Sequence, residues 1–483
     1  MGTTRIATAV AACLVAALLM PVTGPLASGN PQAGKPCPQA GISVQQGKKT
    51  LVCKKRKGKL VWVVDNSGGG TGGGSGDIRD QPVPANGVWK VMPNYPTDLP
   101  PLGWRGEPAW FNSNWEVVTT TPVGRPCSAT PLTHLVTDLS AIGSVTPQGY
   151  MQPGSHAMPV PHMYYNTVRE ASVDTNGVPR PTKVVDVYAP ADMTIRGVVR
   201  QRKLSSQQVP FNEYLVSASI CGTLWFFSAH LIDLSPSITD ALISAPRKEC
   251  DTSAGTPEDM ACIYSYLSIK VQGGERIARA SGYAHGFDFG FTDASAPITG
   301  RLDPGAFTPR WNASRCHIDY YPPAMQQQLR AKLIGDNGCG QLVSDRAGTA
   351  SGVWLAVGQR ANASREDLHV ALARHWSEKS ARTISIGWEA NVPGVAGGTY
   401  TFSATASGNN RDFTLVAPGE VACYDNLTRL STTDPSAAVP SIYVRMTTGT
   451  VERLQIAGAP GPCAAEPTMP ASFQTFERRT TSG

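Results

Sequence analysis

The chain of 483 residues reads as a mostly β, disulfide-stapled protein made for a compartment outside the cytoplasm, and three observations carry that reading. Short runs rich in Val, Ile, Tyr, Phe and Trp recur between Gly, Pro and Ser clusters about every ten residues, the spacing of an all-β sandwich or open barrel. The cysteines are even in number once the first is set aside. The N-terminus has the layout of a secretory signal.

The leader comes first. Arg5 supplies a positive start, residues 6–20 are almost wholly apolar, and small residues lead to Ala27. This predicts a signal peptide over 1–27, since the run is too short for a stable span. No later segment is apolar enough to cross a membrane. A secreted or cell-wall-associated location is therefore expected.

Cys13 lies inside the apolar run. The other ten are Cys37, Cys53, Cys127, Cys221, Cys250, Cys262, Cys316, Cys339, Cys423 and Cys463. An even set in an exported chain argues for disulfides, and without any CxxC a thiolate zinc site is disfavoured. Pairing by nearness predicts Cys37–Cys53, Cys250–Cys262, Cys316–Cys339 and Cys423–Cys463, which leaves Cys127 for Cys221.

Charge is confined. The formal net is +6, yet residues 1–65 hold nine Lys or Arg against one acid, Asp65. That surplus of eight leaves −2 for the rest, which argues against nucleic acid as a partner. Residues 28–65 read as a Cys-paired basic hairpin: "KKTLVC" and "KLVWVV" are strand-like, and "KKRKG" between them reads as a turn. A unit this small cannot bury a sufficient core without a staple. It is similar to short Cys-paired modules of exported actinobacterial proteins, and its charge suits anionic wall polymers. Residues 66–78 form a Gly-rich linker. Residues 79–126, with Trp89, Trp104, Trp110 and Trp115, read as a Pro/Trp-rich wrap.

Two β domains are expected beyond, over 127–300 and 301–483. One helix is predicted in "PPAMQQQLRAKLIG": Pro near the start, Met325, Leu329 and Leu333 on one face, Gly335 as the stop. "GTASGVW" reads as a turn feeding a strand anchored by Trp354. His317, Asp319, Asp345, His369 and His375 have an ordinary reading as packed or solvent-facing side chains of the second β domain.

The chain contains no HExxH, GxSxG, phosphate loop or Rossmann fingerprint. Three collinear segments are more informative: "GSHAMPVPHMYY" followed by "VYAPADMTIRGVV", then "LWFFSAHLIDLSPSI", then "SIKVQGGERIARASGYAHGFDFGFTD". In this order they resemble the lysostaphin-type (LytM-like) zinc metallopeptidases over residues 150–293. The resemblance implies an antiparallel β domain of the duplicated-hybrid-motif type; by strand spacing, residues 301–483 read as a second, β-sandwich-like domain. It also implies peptidoglycan as partner and zinc as cofactor. The ligand motifs are altered. His162 takes the place of a ligand Asp, Pro159 that of the first ligand His, Asp288 that of a ligand His, and Gly286 that of a catalytic His. His230 matches the "HL" histidine that contributes to catalysis.

Two readings follow. In one, His156, His162 and Asp288 form a two-His, one-carboxylate zinc site, with His230 as catalytic base; three protein ligands plus a water are what a catalytic zinc needs. In the other, favoured, the scaffold binds or organises cell-wall material with impaired or absent catalysis. Loss of the proton-transfer partner at Gly286 weighs for the second, because such a group contributes about 10²–10⁴-fold.

Overall fold

The computed structural model describes Lys35, three strands between residues 43 and 65, and residues 126–480 apart from 174–178, 205–209, 246, 251–261, 266, 281–284, 308, 361–364 and 433–437. The expected leader, Gly-rich linker and Pro/Trp-rich wrap lie outside the described residues, as does Cys37. Residues 1–81 and 82–483 are separate compact units. Strand is the main regular structure among the described residues, in antiparallel sheets.

In the first unit, β1 (Ser43–Gln46), β2 (Lys49–Arg56) and β3 (Lys59–Asp65) form one sheet in that order. The basic run is therefore not a turn. β2 and β3 stay paired to Arg56 opposite Lys59. Lys54, Lys55 and Arg56 accordingly lie in β2. Trp62 is buried and its N–H donates to the Lys35 carbonyl at 2.9 Å.

The second unit holds two large sheets. Its first strands are β4 (Ile142–Thr146) and β5 (His162–Thr167), then a separate pair, β6 (Arg169–Val173) and β7 (Pro179–Thr182). β8 (Val185–Tyr188), β9 (Met193–Leu204), β10 (Pro210–Ser219) and β11 (Leu224–Ile232) follow. After helix α1 (Pro236–Ile243) come β12 (Arg247–Cys250), β13 (Cys262–Ser265), β14 (Ile269–Val271), β15 (Arg276–Ala280) and β16 (Gly286–Asp293). The sheet runs β12-β13-β9-β10-β11-β16-β5-β4, with β14 beside β9 and β15 between β11 and β8.

β16 shows how residue pattern makes this sheet. In "GFDFGFTD", Phe287, Phe289 and Phe291 alternate onto one face and are buried in the core, as period-two geometry requires. Gly286, Asp288 and Gly290 fall on the other face. Behind the phenylalanines lies a short helical turn containing His317, whose ring is 4.0 Å from that of Phe289 and accepts or donates one hydrogen bond with the Tyr165 hydroxyl at 2.7 Å. After α2 (Pro309–Ala313), the predicted helix appears as α3 (Pro323–Arg330), ending before Gly335. Leu329 is buried, and Met325 and Leu333 pack on the same core.

The second sheet comprises β17 (Gly352–Ala356), β18 (Val370–Arg374), β19 (Ala381–Ile386), β20 (Gly398–Ser403), β21 (Val421–Tyr424), β22 (Thr428–Thr432), β23 (Ser441–Thr447), β24 (Val451–Ala459) and β25 (Gln474–Arg479). Its order is β21-β23-β24-β25-β17-β18-β19-β20-β22. β17 is the corner: Gly352 to Trp354 pair with β18, Leu355 and Ala356 with β25. Both halves send side chains into one core around the fully buried Trp354, the arrangement of a β-sandwich.

Disulfides Cys127–Cys221, Cys316–Cys339 and Cys423–Cys463 are present as expected. Cys262 is disulfide-bonded, and the β12–β13 register sets Cys250 opposite it. No helix among the described residues is long and apolar enough to cross a membrane.

Candidate functional site

Four neighbouring strands, β10, β11, β16 and β5, carry a chain of polar side chains. Asp288 stands at its centre. Its Oδ2 lies 3.5 Å from His162 Nε2 and 3.6 Å from His230 Nε2. His230 Nδ1 in turn lies 2.9 Å from Glu213 Oε2. The chain runs from the interior outward, with side-chain exposures of 4% for His162, 8% for Asp288 and 39% for His230. A buried carboxylate is costly unless paired, and the two imidazoles supply that pairing.

Backbone irregularity aims His230. Regular alternation after Phe226 and Ser228 would put residue 230 on the core face. Instead, the β10–β11 register shifts between Tyr214 and Val216, so Ala229 and His230 oppose a single residue. His230 itself takes φ 59°, a left-handed conformation that costs a β-carbon residue about 1–3 kcal/mol and clusters at functional sites. Such bulges re-aim side chains. At the same point β11 changes partner: Ala229 pairs with Asp288 on β16, Leu231 with Ala280 on β15.

Two glycines shape the surroundings. A β-carbon on Gly290 would lie 1.5 Å from the Phe227 ring, so Phe227 occupies the space above β16 and meets the His162 ring edge-on at 5.7 Å. Gly286 is barred more rigidly. A β-carbon there would sit 2.2 Å from the Tyr165 carbonyl oxygen and 2.8 Å from its carbon, both backbone atoms. This backbone admits no side chain where the resemblance puts a catalytic imidazole.

His156 approaches from a loop. Its ring is 5.3 Å from that of His162, and its Nδ1 is 3.5 Å from Glu366 Oε1. The loop is clamped by the segment before β18: Glu366 accepts from the Met158 N–H at 3.1 Å and Asp367 from the Gly154 N–H at 2.8 Å. The Trp388 ring lies against Gly154. The structure thus brings His156, His162, His230 and Asp288 into one neighbourhood. Glu213 and Glu366 were not singled out in the sequence. Glu213 carries one local signal, being out of phase with the core-facing Val216 and Ala218 of its strand.

The donors are of the kinds zinc accepts, but their spacing is not that of a formed three-ligand site. Tetrahedral bonds of about 2.1 Å set donor–donor edges near ~3.4 Å. The two Asp288 distances match such edges. Yet no trio from this neighbourhood has its ligand atoms mutually within 4.8 Å; among the described residues that holds only for Cys316, Asp319 and Cys339. Those two cysteines are joined to each other, so neither is a thiolate ligand. What the site does offer is an imidazole held in orientation: His230 Nδ1–H donates to Glu213, and Nε2 faces Asp288.

Three further histidines, His317, His369 and His375, are structural. Burial pushes His317 down to about 3. His369 is fully buried and its Nδ1 accepts the Ala356 N–H at 3.0 Å. His375 Nδ1 accepts from the Ser377 and Glu378 N–H groups, and burial lowers its pKa. No family model matches the chain, and no curated protein or solved structure matches it.

Proposed function

We propose that this is an exported cell-envelope protein whose first large sheet binds cell-wall material, peptidoglycan peptides foremost, with impaired or absent catalysis. The observation that carries the reading is Gly286, where the neighbouring backbone leaves no room for a proton-transferring side chain. The polar chain beside it keeps the capacity to bind. His230 is the accessible imidazole of that chain, Glu213 fixes its orientation through Nδ1, and Asp288 lies between it and His162. A peptide N–H or sugar hydroxyl docking at His230 would find an oriented partner. The basic strand β2 is the part suited to anionic wall polymers.

A zinc endopeptidase cutting peptide cross-links is the second reading, favoured by the two donor distances around Asp288. In that case the bound metal would act as a Lewis acid, and it needs a third donor that the present spacing does not supply. Metal analysis of the purified protein decides between them. The binding reading expects no stoichiometric zinc and no fragments released from cell walls. Stoichiometric zinc that is lost in His162→Ala or Asp288→Ala, together with fragment release, would overturn it. Deleting residues 37–65 should weaken wall adsorption at low salt and matter little at high salt, where screening removes the attraction. Unchanged low-salt adsorption would remove the tethering role.

A further inference from the structure

A cavity of about 220 Å³ opens in the C-terminal sheet, between the loop at 341–351, the end of β18, the start of β19 and the turn at 412–414. Taking roughly 30 Å³ per water, it holds about seven waters, less than a drug-sized ligand needs and enough for one sugar-sized molecule.

Its charges are unequally committed. Arg382 and Asp412 are paired, and Arg382 also donates to the Lys379 and Ala381 carbonyls. Burial favours a protonated Asp412, but the Thr414 N–H and the Arg382 guanidinium outweigh it and hold the carboxyl below its ordinary value. Asp345 is spent too, with Oδ1 accepting the Val353 N–H at 3.0 Å and Oδ2 the Leu302 N–H at 3.1 Å. Behind Asp345 lie the buried guanidiniums of Arg301 and Arg478, both interacting with it electrostatically. Arg301 is 6% exposed, and its Nε and Nη2 have no hydrogen-bond partner among the described residues.

Two cations remain. Arg346 and Arg374 line the cavity, are exposed, and have no ion-pair or hydrogen-bond partner for their guanidiniums among the described residues. Neither wall acid pairs with them, and the lining holds three guanidiniums, Arg346, Arg374 and Arg382, against the two carboxylates of Asp345 and Asp412, so it keeps a positive excess. A planar guanidinium fork is the group best matched to a carboxylate or phosphate. Ser344 and Thr414 hydroxyls beside them suit the polar remainder of such a molecule.

We infer that this cavity is a binding site for a small polar oxyanion, a carboxylate- or phosphate-bearing molecule of about monosaccharide size, held by Arg346 and Arg374. It is separate from the His162–Asp288–His230 neighbourhood and does not depend on the function proposed for that one.

Calorimetric titration of the intact protein at low salt tests this with three probes of one size: glucuronate, glucose 1-phosphate and glucose. At least one anion should bind tenfold or more tightly than glucose. Arg346→Ala and Arg374→Ala should each weaken that binding by about 10–100-fold, the effect of losing a charged hydrogen bond. Both residues are exposed, so the variants should keep the circular dichroism and melting profile of the parent. Preference for glucuronate identifies the recognised group as a carboxylate, preference for the phosphate as a phosphomonoester. No anion binding, binding no tighter than glucose, or anion binding unchanged in the Arg346→Ala/Arg374→Ala double variant would overturn the inference.

Discussion

Gly286→Ala asks whether the groove is closed to catalysis by its own backbone. The added β-carbon meets the Tyr165 oxygen at 2.2 Å, its carbonyl carbon at 2.8 Å and the Asn166 Cα at 3.0 Å. Ordinary contacts are about 1 Å longer, and backbone cannot rotate aside as a side chain can. Relief requires β16 to move away from β5, where Gly286 pairs with Asn166 and Gly290 with His162. Overpacking of well-packed sites costs about 1–3 kcal/mol, and the rigidity here argues for the upper end. With a urea dependence near ~3 kcal/mol/M, the unfolding midpoint should fall by roughly 1 M. Gly286→His should be at least as damaging and should gain no wall-hydrolysing activity. A Gly286→Ala midpoint equal to that of the parent, or a stable and active Gly286→His, would refute the reasoning.

Other expectations concern stability. Glu452→Ala should cost about 3–5 kcal/mol, because it removes the hydrogen-bonded partner, at 2.7 Å, of the buried Arg478 guanidinium; Asp319→Ala, on an exposed pair with Arg330, should cost no more than ~1 kcal/mol in the same denaturant titration. His317, depressed to about 3 by burial, binds a proton in the unfolded chain below pH ~6.5 but stays neutral when folded, so stability should decline on the order of several kcal/mol as pH falls from about 6.5 towards 3. In His317→Gln that slope should flatten; an unchanged slope would exclude His317 as its source. Removing Cys127–Cys221, with a sequence separation of 94, should cost about 4–5 kcal/mol by chain entropy, more than removing Cys423–Cys463 with its separation of 40, and the order of melting temperatures checks this.

Legibility differed by residue for identifiable reasons. His162, His230 and Asp288 were singled out from three separate segments by resemblance, and the pairing of β5, β16 and β11 sets them side by side. Glu213 could not, since one glutamate on a strand is the normal sign of a polar face. Its pairing with His230 depends on a bulge that strict alternation does not foresee. Glu366 is 210 residues from His156, and no local pattern records that contact. The basic hairpin was legible as strands, but Lys54, Lys55 and Arg56 were read as turn because a basic run ending in glycine looks like a loop until the strands are paired.

The amino-acid sequence determined by itself the β-rich class, the expectation of export, and the near cysteine pairs Cys316–Cys339 and Cys423–Cys463, because periodicity, composition and chain proximity are local properties; Cys127–Cys221 followed only by elimination. Tertiary structure alone decided the geometry around Asp288. It turned His230 through a left-handed bulge onto the face of Asp288, and it pressed the Tyr165 backbone against Gly286. Both depend on how separate strands meet, and a close approach between strands leaves no mark on either strand's own pattern.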